Sequence, residues 1–518
     1  MVSSEVSRGH SKPETSYFPM KRALWKSHGK DEGLNVRMAK QSGSLWQSNN
    51  NRNTLANYLC EDKPEAESKT QEELSGAMQP MRTTPGRKFF FGSSMLEEIT
   101  DIRNVQKAFK QVTANKGVGG IDGMQTDELR DYLNAHWQTL RKDILEGNYK
   151  VQAVRKVAIP KPQGGTRMLG IPTVADRLLQ QAIAQWLSPK YEEEFSNYSY
   201  GFRAGRNAHQ ALLQAQQNLN EGYEWVIELD LENFFDKVNH DKLMGLLVKK
   251  ITDKRTLKLI RSYLNSGIME DGVVSPRTEG TPQGSPLSPL LSNIVLNELD
   301  KELDARGHRF VRYADDCSIY VRSEKSAQRV MEVITDYIES KLKLKVNRTK
   351  SKVSCPLEST LLGFSFYKSE KGWQIRIAPK SLEKIKEKMK EKTRRNDPSC
   401  AKEKIKKMEA VIRGWVNYFV IAKAKSKMQQ LDELVRTRLR IGIWKQWKKP
   451  KTKRMNLIKL GIKSQKAYEW SNSRKGYCRV SHSPILCRAL NNEYFSRLKY
   501  VGFTNYYYWK TENQTKLF

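Results

Sequence analysis

"RFVRYADDCSIYVRS", Arg309 to Ser323, sets two aspartates, Asp315 and Asp316, side by side between two short apolar runs. "FVRY" and "CSIYV" have the aromatic and β-branched composition of strands, which puts the doublet at the tip of a tight hairpin. Adjacent carboxylates repel, and turns ordinarily take Gly or Asn rather than a second charge. One reading is a surface turn that happens to be acidic. The other is a site for hard divalent cations, which bind carboxylate oxygens and neutralise their repulsion. Two such ions roughly 4 Å apart can activate a hydroxyl and stabilise a leaving oxygen in phosphoryl transfer. That site needs another carboxylate from a different strand.

"VIELDLENFFD", Val226 to Asp236, offers one: an apolar run delivers Asp230 at its end. Glu232 and Asp236 compete for the role, but Asp230 follows the buried run directly. Around these stretches the chain alternates strand and helix signals. "VRKVAIPKPQGGTRMLGIP" has two β-prone runs flanking Gln163-Gly164-Gly165, a hairpin signature. "TVADRLLQQAIAQWLSPKYEEEF" reads as a helix capped by Thr173, and "TPQGSPLSPLLSNIVLNELDKELD" as a turn leading into a helix. The mixture predicts an α+β domain ending near residue 375. From Lys380 to Arg454 the pattern is helical, with 25 Lys and Arg against 8 Asp and Glu. Residues 1–85 are rich in Ser, Asn and Lys and lack periodicity, as expected of a disordered extension.

Composition narrows the class. With 91 Lys and Arg against 57 Asp and Glu, the formal charge is +34, which calls for a polyanionic partner such as nucleic acid. The six cysteines form no CxxC pair, in keeping with reduced thiols in a cytoplasmic protein. Cys478, His482 and Cys487 are three ligands without a fourth, a weak basis for zinc. No apolar run approaches the ~20 residues of a membrane span, and no signal peptide is evident.

The order "DLENFFD", "TPQGSPLSPLLSNI", "YADD", "LKLKVNRTK", "LLGFSF" resembles the motif series of a reverse transcriptase palm. "NKGVGGIDG", "IPKPQGGTRMLGIP", "YGFRAGRNAHQAL" and "AVIRGWVNYFVIAKA" resemble more narrowly the group II intron-encoded reverse transcriptases, or maturases, over about residues 93–518. The resemblance implies a right-hand polymerase. Fingers and palm would lie in 86–375, a thumb or maturase-specific region in 376–455, and a basic, aromatic DNA-binding segment in 456–518. It implies an RNA-directed DNA polymerase using dNTPs and two Mg²⁺ ions.

In that scheme Asp230, Asp315 and Asp316 are the metal-binding carboxylates, with the backbone carbonyl of Leu231 as a further ligand. Phe235 is the residue that excludes a 2′-hydroxyl, and Gln283 lines the pocket for the incoming nucleotide. Lys161 and Arg167 grip the triphosphate. Arg203, Arg206, Lys350 and Arg413 are contacts to template, primer or RNA, and Lys350 is also placed to protonate pyrophosphate. The implied partners are group II intron RNA, an RNA template with its DNA primer, and target DNA, with no membrane. No Cys/His-rich endonuclease follows, so the resemblance leads to the expectation of no DNA-cutting activity in this chain. Two alternatives stand beside it: a non-catalytic RNA-binding splicing factor, and a reverse transcriptase of phage defence or CRISPR systems.

Overall fold

The computed structural model describes residues 95–160, 166–270 and 272–515; residues 1–85 and the Gln163-Gly164-Gly165 turn lie outside the described residues. The expected hairpin is present: β1 (Val154–Pro160) and β2 (Thr166–Ile171) run antiparallel, with Pro160 opposite Thr166. Helix α1 (Val174–Glu192) starts at Thr173, whose hydroxyl accepts the Asp176 amide. It is buried around most of its circumference, and it carries the polar side chains of Asp176, Arg177 and Gln180 into the interior along with its apolar ones. Helix α2 (Ala208–Asn220) and strand β3 (Trp225–Leu229) follow. Two strands escaped the sequence reading. β4 (Ile268–Glu270) pairs in parallel with β1, and β5 (Val273–Ser275) closes that sheet in the order β2-β1-β4-β5. At three residues each they are too short to show alternation.

Helix α3 (Ser288–Ala305) leads to the hairpin of β6 (Arg309–Tyr313) and β7 (Asp316–Val321). With β8 (Lys352–Ser354) these strands form a second sheet in the order β6-β7-β3-β8. Both of its faces are covered. Ile227, Leu229, Phe310, Cys317, Ile319 and Val321 pack into one core with α1 and α3. Val226, Val311 and Tyr320 pack into another with the C-terminal half. That is the period-2 alternation of a strand, with both sides apolar, so these strands read as unbroken hydrophobic runs.

A third sheet, the hairpin of β9 (Phe364–Ser369) and β10 (Gly372–Ile377), joins the second core to four helices: α4 (Pro379–Lys392), α5 (Ala401–Phe419), α6 (Lys425–Gln446) and α7 (Phe503–Thr515). Phe419 lies 4.8 Å from Phe364 and 4.6 Å from Trp415, ring to ring. Buried Asp432 on α6 accepts the Tyr500 hydroxyl and the amides of Phe503 and Thr504, so it caps α7. Residues 376–455 and the described part of 456–518 therefore share one core. The aromatic tail divides accordingly: Tyr506 and Tyr507 are buried, whereas Trp509 is exposed. Among the described residues no helix is long and apolar enough to cross a membrane.

Candidate active site

Strand register brings the three carboxylates together. β3 pairs with β7 as far as Leu229 and Cys317, the last pair of that ladder, so Asp230 and Asp316 are the next residues of the two chains at the same end of the sheet. Tyr313 pairs with Asp316 across the hairpin, leaving Ala314 and Asp315 as its turn, with Ala314 at φ 58°. The doublet thus straddles turn and strand. Like charges on neighbouring strands are unfavourable. The surrounding protein and the charges of Asp315 and Asp230 push the Asp316 carboxyl up to about 6. Lys350 supplies a cation in compensation, its ammonium 2.9 Å from Asp230 Oδ2.

The edge of Leu231 completes an oxygen-rich face. Asp230 O accepts from Asn347 and the Glu232 amide donates to Lys345 O, so that side of the chain is spent on residues 345–347. In an antiparallel pairing the residue between them turns its carbonyl the other way. Leu231 O accepts no backbone hydrogen bond among the described residues. Carboxylates and a carbonyl are the donors that hard divalent ions take, and crowded carboxylates are what such ions relieve. The residues fit Mg²⁺ in kind. As they stand, no three acidic, His or Cys side chains among the described residues are drawn close enough to hold an ion, and Lys350 occupies Asp230.

The hairpin is held from beneath by a fully buried ion pair. Arg312 lies on β6, and its Nε and Nη2 donate to Asp300 of α3 at 2.6 and 2.5 Å. Its Nη1 donates to Asn293 Oδ1 at 3.0 Å and to the Ala314 carbonyl at 2.9 Å, reaching the turn itself. Asn293 Nδ2 in turn donates to Gly201 O at 2.9 Å. Gly201 presses on the turn: a Cβ there would sit 2.2 Å from the Ala314 amide nitrogen.

The nucleotide-side candidates cluster around one stitch of backbone. Thr281 N donates to Phe235 O at 2.6 Å, and Gly170 N of β2 donates to Gln283 O at 2.9 Å. The Pro282-Gln283-Gly284 turn thus ties Phe235 to the root of the β1–β2 hairpin. Gly284 has φ 114°, a conformation that glycine adopts without penalty. The Gln283 side chain is half-buried and makes no hydrogen bond among the described residues. Arg167 is exposed on β2, opposite Ile159. Lys161 lies outside the described residues.

Two cations require correction. Arg203 is buried, and its nitrogens donate to Glu192, Ser196 O and Ser199 O. Its planar fork is consumed inside the protein, so it makes no contact with template or RNA. Lys404, one of the cations of the basic 380–454 stretch, is also buried: its ammonium donates to Arg394 O and Asp397 O at 3.0 Å each. Arg206 spends two nitrogens on Asn197. Exposed Arg413 pairs with Glu409 at 2.8 Å and lies over the Tyr506 ring. Glu232 pairs with Lys345 at 3.2 Å, away from the doublet.

The sequence reading overlooked Arg312, Asp300 and Asn293. Their signal was present: Asn293, Asn297 and Asp300 fall on one face of a helix that is otherwise apolar there. Arg312 likewise interrupts a buried strand. Phe202 was also missed, because nothing in "YGFRAGR" shows which way its ring points.

A sequence model of the family described as "Reverse transcriptase (RNA-dependent DNA polymerase)" matches residues 159–502. The chain is 33% identical over 299 residues to protein YkfC of Escherichia coli K12, covering 50% of this chain and 78% of YkfC. It is 36% identical over 195 residues to the group II intron-encoded protein LtrA of Lactococcus lactis subsp. cremoris, covering 38% of this chain and 32% of LtrA. It therefore spans most of the first relative but about a third of the second. The solved structure "Partial Cas6-RT-Cas1--Cas2 complex" is similar at a TM-score of 0.32 and 24% identity, over 47% of this chain and 42% of that one.

Proposed function

The chain belongs to the reverse transcriptase family, the RNA-dependent DNA polymerases, and on that premise we propose that Asp230, Asp315 and Asp316 form its polymerisation site with two Mg²⁺ ions. The observation that supports this reading is the β3–β7 ladder ending at Leu229 and Cys317, with Asp230 and Asp316 the next residues at that end and the charges of Asp230 and Asp315 acting on the Asp316 carboxyl. When bound, the ions would lower the pKa of the primer 3′-hydroxyl and neutralise charge on the leaving pyrophosphate. The chain's own groups do the rest. Asp230 and Asp315 would carry most of the coordination, joined by the Leu231 carbonyl. Lys350 leaves Asp230 on its flexible stem and meets the pyrophosphate. Arg167 and Lys161 hold the triphosphate through charge-assisted hydrogen bonds. Gln283 meets the nucleotide from the turn tied to Phe235, whose ring stands where a ribose 2′-hydroxyl would go.

The partners are an RNA template with its DNA primer and, by the motif resemblance to maturases and the likeness to the group II intron-encoded protein LtrA, the RNA of a group II intron, whose splicing the protein would assist. Residues 86–375 serve as fingers and palm and 376–455 as thumb. Residues 456–518 contact target DNA, and the exposed lysines of α4 and α5 follow the phosphates.

The test is primer extension by the purified full chain on an RNA template with Mg²⁺. Extension with dNTPs, its loss on chelation, and a group II intron as the copurifying RNA are the expected results; no extension on RNA would overturn the reading. Phe235→Ala should raise ribonucleotide incorporation by at least about tenfold, the scale on which an aromatic wall discriminates by volume. Competition between ATP and dATP on the same template measures it, and unchanged discrimination removes Phe235 from this role.

A further inference from the structure

We propose that Phe202 is a positioning residue for sugar selection: its ring braces Phe235 from the side, so the wall beside the incoming sugar is a pair of rings. The inference rests on the reading of Phe235 given above.

Phe202 is 52% exposed, which alone is unremarkable for one apolar residue. Its backbone is not ordinary. At φ 59° it occupies the left-handed region, where a glycine would sit without cost and a bulky side chain is uncommon. Both of its neighbours are clamped. On one side, Gly201 abuts Ala314 of the aspartate turn and its carbonyl is held by Asn293. On the other, Arg203 is buried and anchored to Glu192, Ser196 O and Ser199 O. The Phe202 backbone is therefore held in this conformation from both sides, and its ring is directed outward. Such an outlier, over-determined by its surroundings, is where function is to be sought.

The place is against Phe235. The two rings meet edge to face, centroids 6.4 Å apart at 70°. Phe235 makes the same kind of contact with core residue Phe234, at 5.3 Å and 70°. Three rings thus run in series from the core to solvent, each in the favoured tilted arrangement. Thr281 already pins the Phe235 main chain. Phe202 limits what remains, the swing of the Phe235 side chain away from Phe234.

Phe202→Gly deletes the ring and relieves the left-handed backbone together, so it should not lower the Tm. The expected result is a rise of about three- to tenfold in the ratio of ribonucleotide to deoxyribonucleotide kcat/KM, the worth of one aromatic pair. kcat for dNTPs should change little, and Phe202→Tyr should keep the parent ratio. In a Phe235→Ala background, Phe202→Gly should add nothing, because a brace has no effect without the group it braces. Unchanged discrimination in Phe202→Gly, loss in Phe202→Tyr equal to that in Phe202→Gly, or multiplying effects in the double variant would each overturn the proposal. If Phe235→Ala itself leaves discrimination unchanged, this inference and the role of Phe235 fall together. If only Phe202→Gly is silent, this inference alone falls.

Discussion

Asp315→Asn should reduce RNA-templated primer extension by about a thousandfold or more without unfolding the protein. The size follows from the role: a carboxylate that holds the ions bearing the transition-state charge cannot be replaced by a neutral amide. The tolerance follows from the structure. Asp315 lies half-buried in a two-residue turn, and its side chain makes no hydrogen bond among the described residues. Removing its charge takes away one of the causes that raise the Asp316 carboxyl from its ordinary value to about 6. The sign is definite. A carboxyl whose pKa is higher in the folded than in the unfolded state costs stability as pH rises from about 4 through 6. Without divalent metal, the variant should therefore match or exceed the parent's Tm at pH 7. That advantage should disappear at pH 4, where Asp316 is protonated in both. Primer extension and thermal melts at the two pH values check this; near-parental synthesis by Asp315→Asn would remove the residue from the metal site.

Arg312→Ala should be the most destabilising single change near the site. Arg312 and Asp300 side chains are 1% and 0% exposed, and the pair is bidentate. Removing one partner leaves the other charge buried and unpaired, a cost of about 3–5 kcal/mol. That is a large part of the ~5–15 kcal/mol that stabilises a typical protein. Asp300→Ala should cost a similar amount. The combination Arg312→Met with Asp300→Leu should recover much of the stability, because apolar replacement of both members spares their desolvation. It should not recover synthesis, because the Ala314 carbonyl and Asn293 would still lack the donor that holds the turn. Denaturant unfolding and primer extension separate the two effects. Full activity in the double variant would mean that the pair serves stability alone.

How far the residues could be read in order depended on the range of the interaction. The β1–β2 hairpin, the β6–β7 hairpin and the Thr173-capped helix rest on alternation, turn composition and capping, which act within a few residues of one another. They were legible for that reason. So was the suspicion attached to Asp230, since an apolar run ending in an acid is a local pattern. The three-residue strands β4 and β5 were not: they pair with each other, but the pair joins the sheet only through β4 on β1, more than a hundred residues away.

The carboxylate doublet, its strands, the basic charge and the ordered motifs could all be stated from the chain as written, because each is a property of neighbours in sequence. That Asp230 comes to the same end of the sheet as Asp316 was decided by the register of β3 on β7, which depends on which faces the two cores bury. The same folding turned Arg203 inward against Glu192 and Phe202 outward against Phe235, although they are consecutive residues of one loop. Composition cannot distinguish a cation that meets solvent from one that finds a buried acid. Only the packing of distant elements creates that acid's surroundings, and with them the difference between an anchor and a contact.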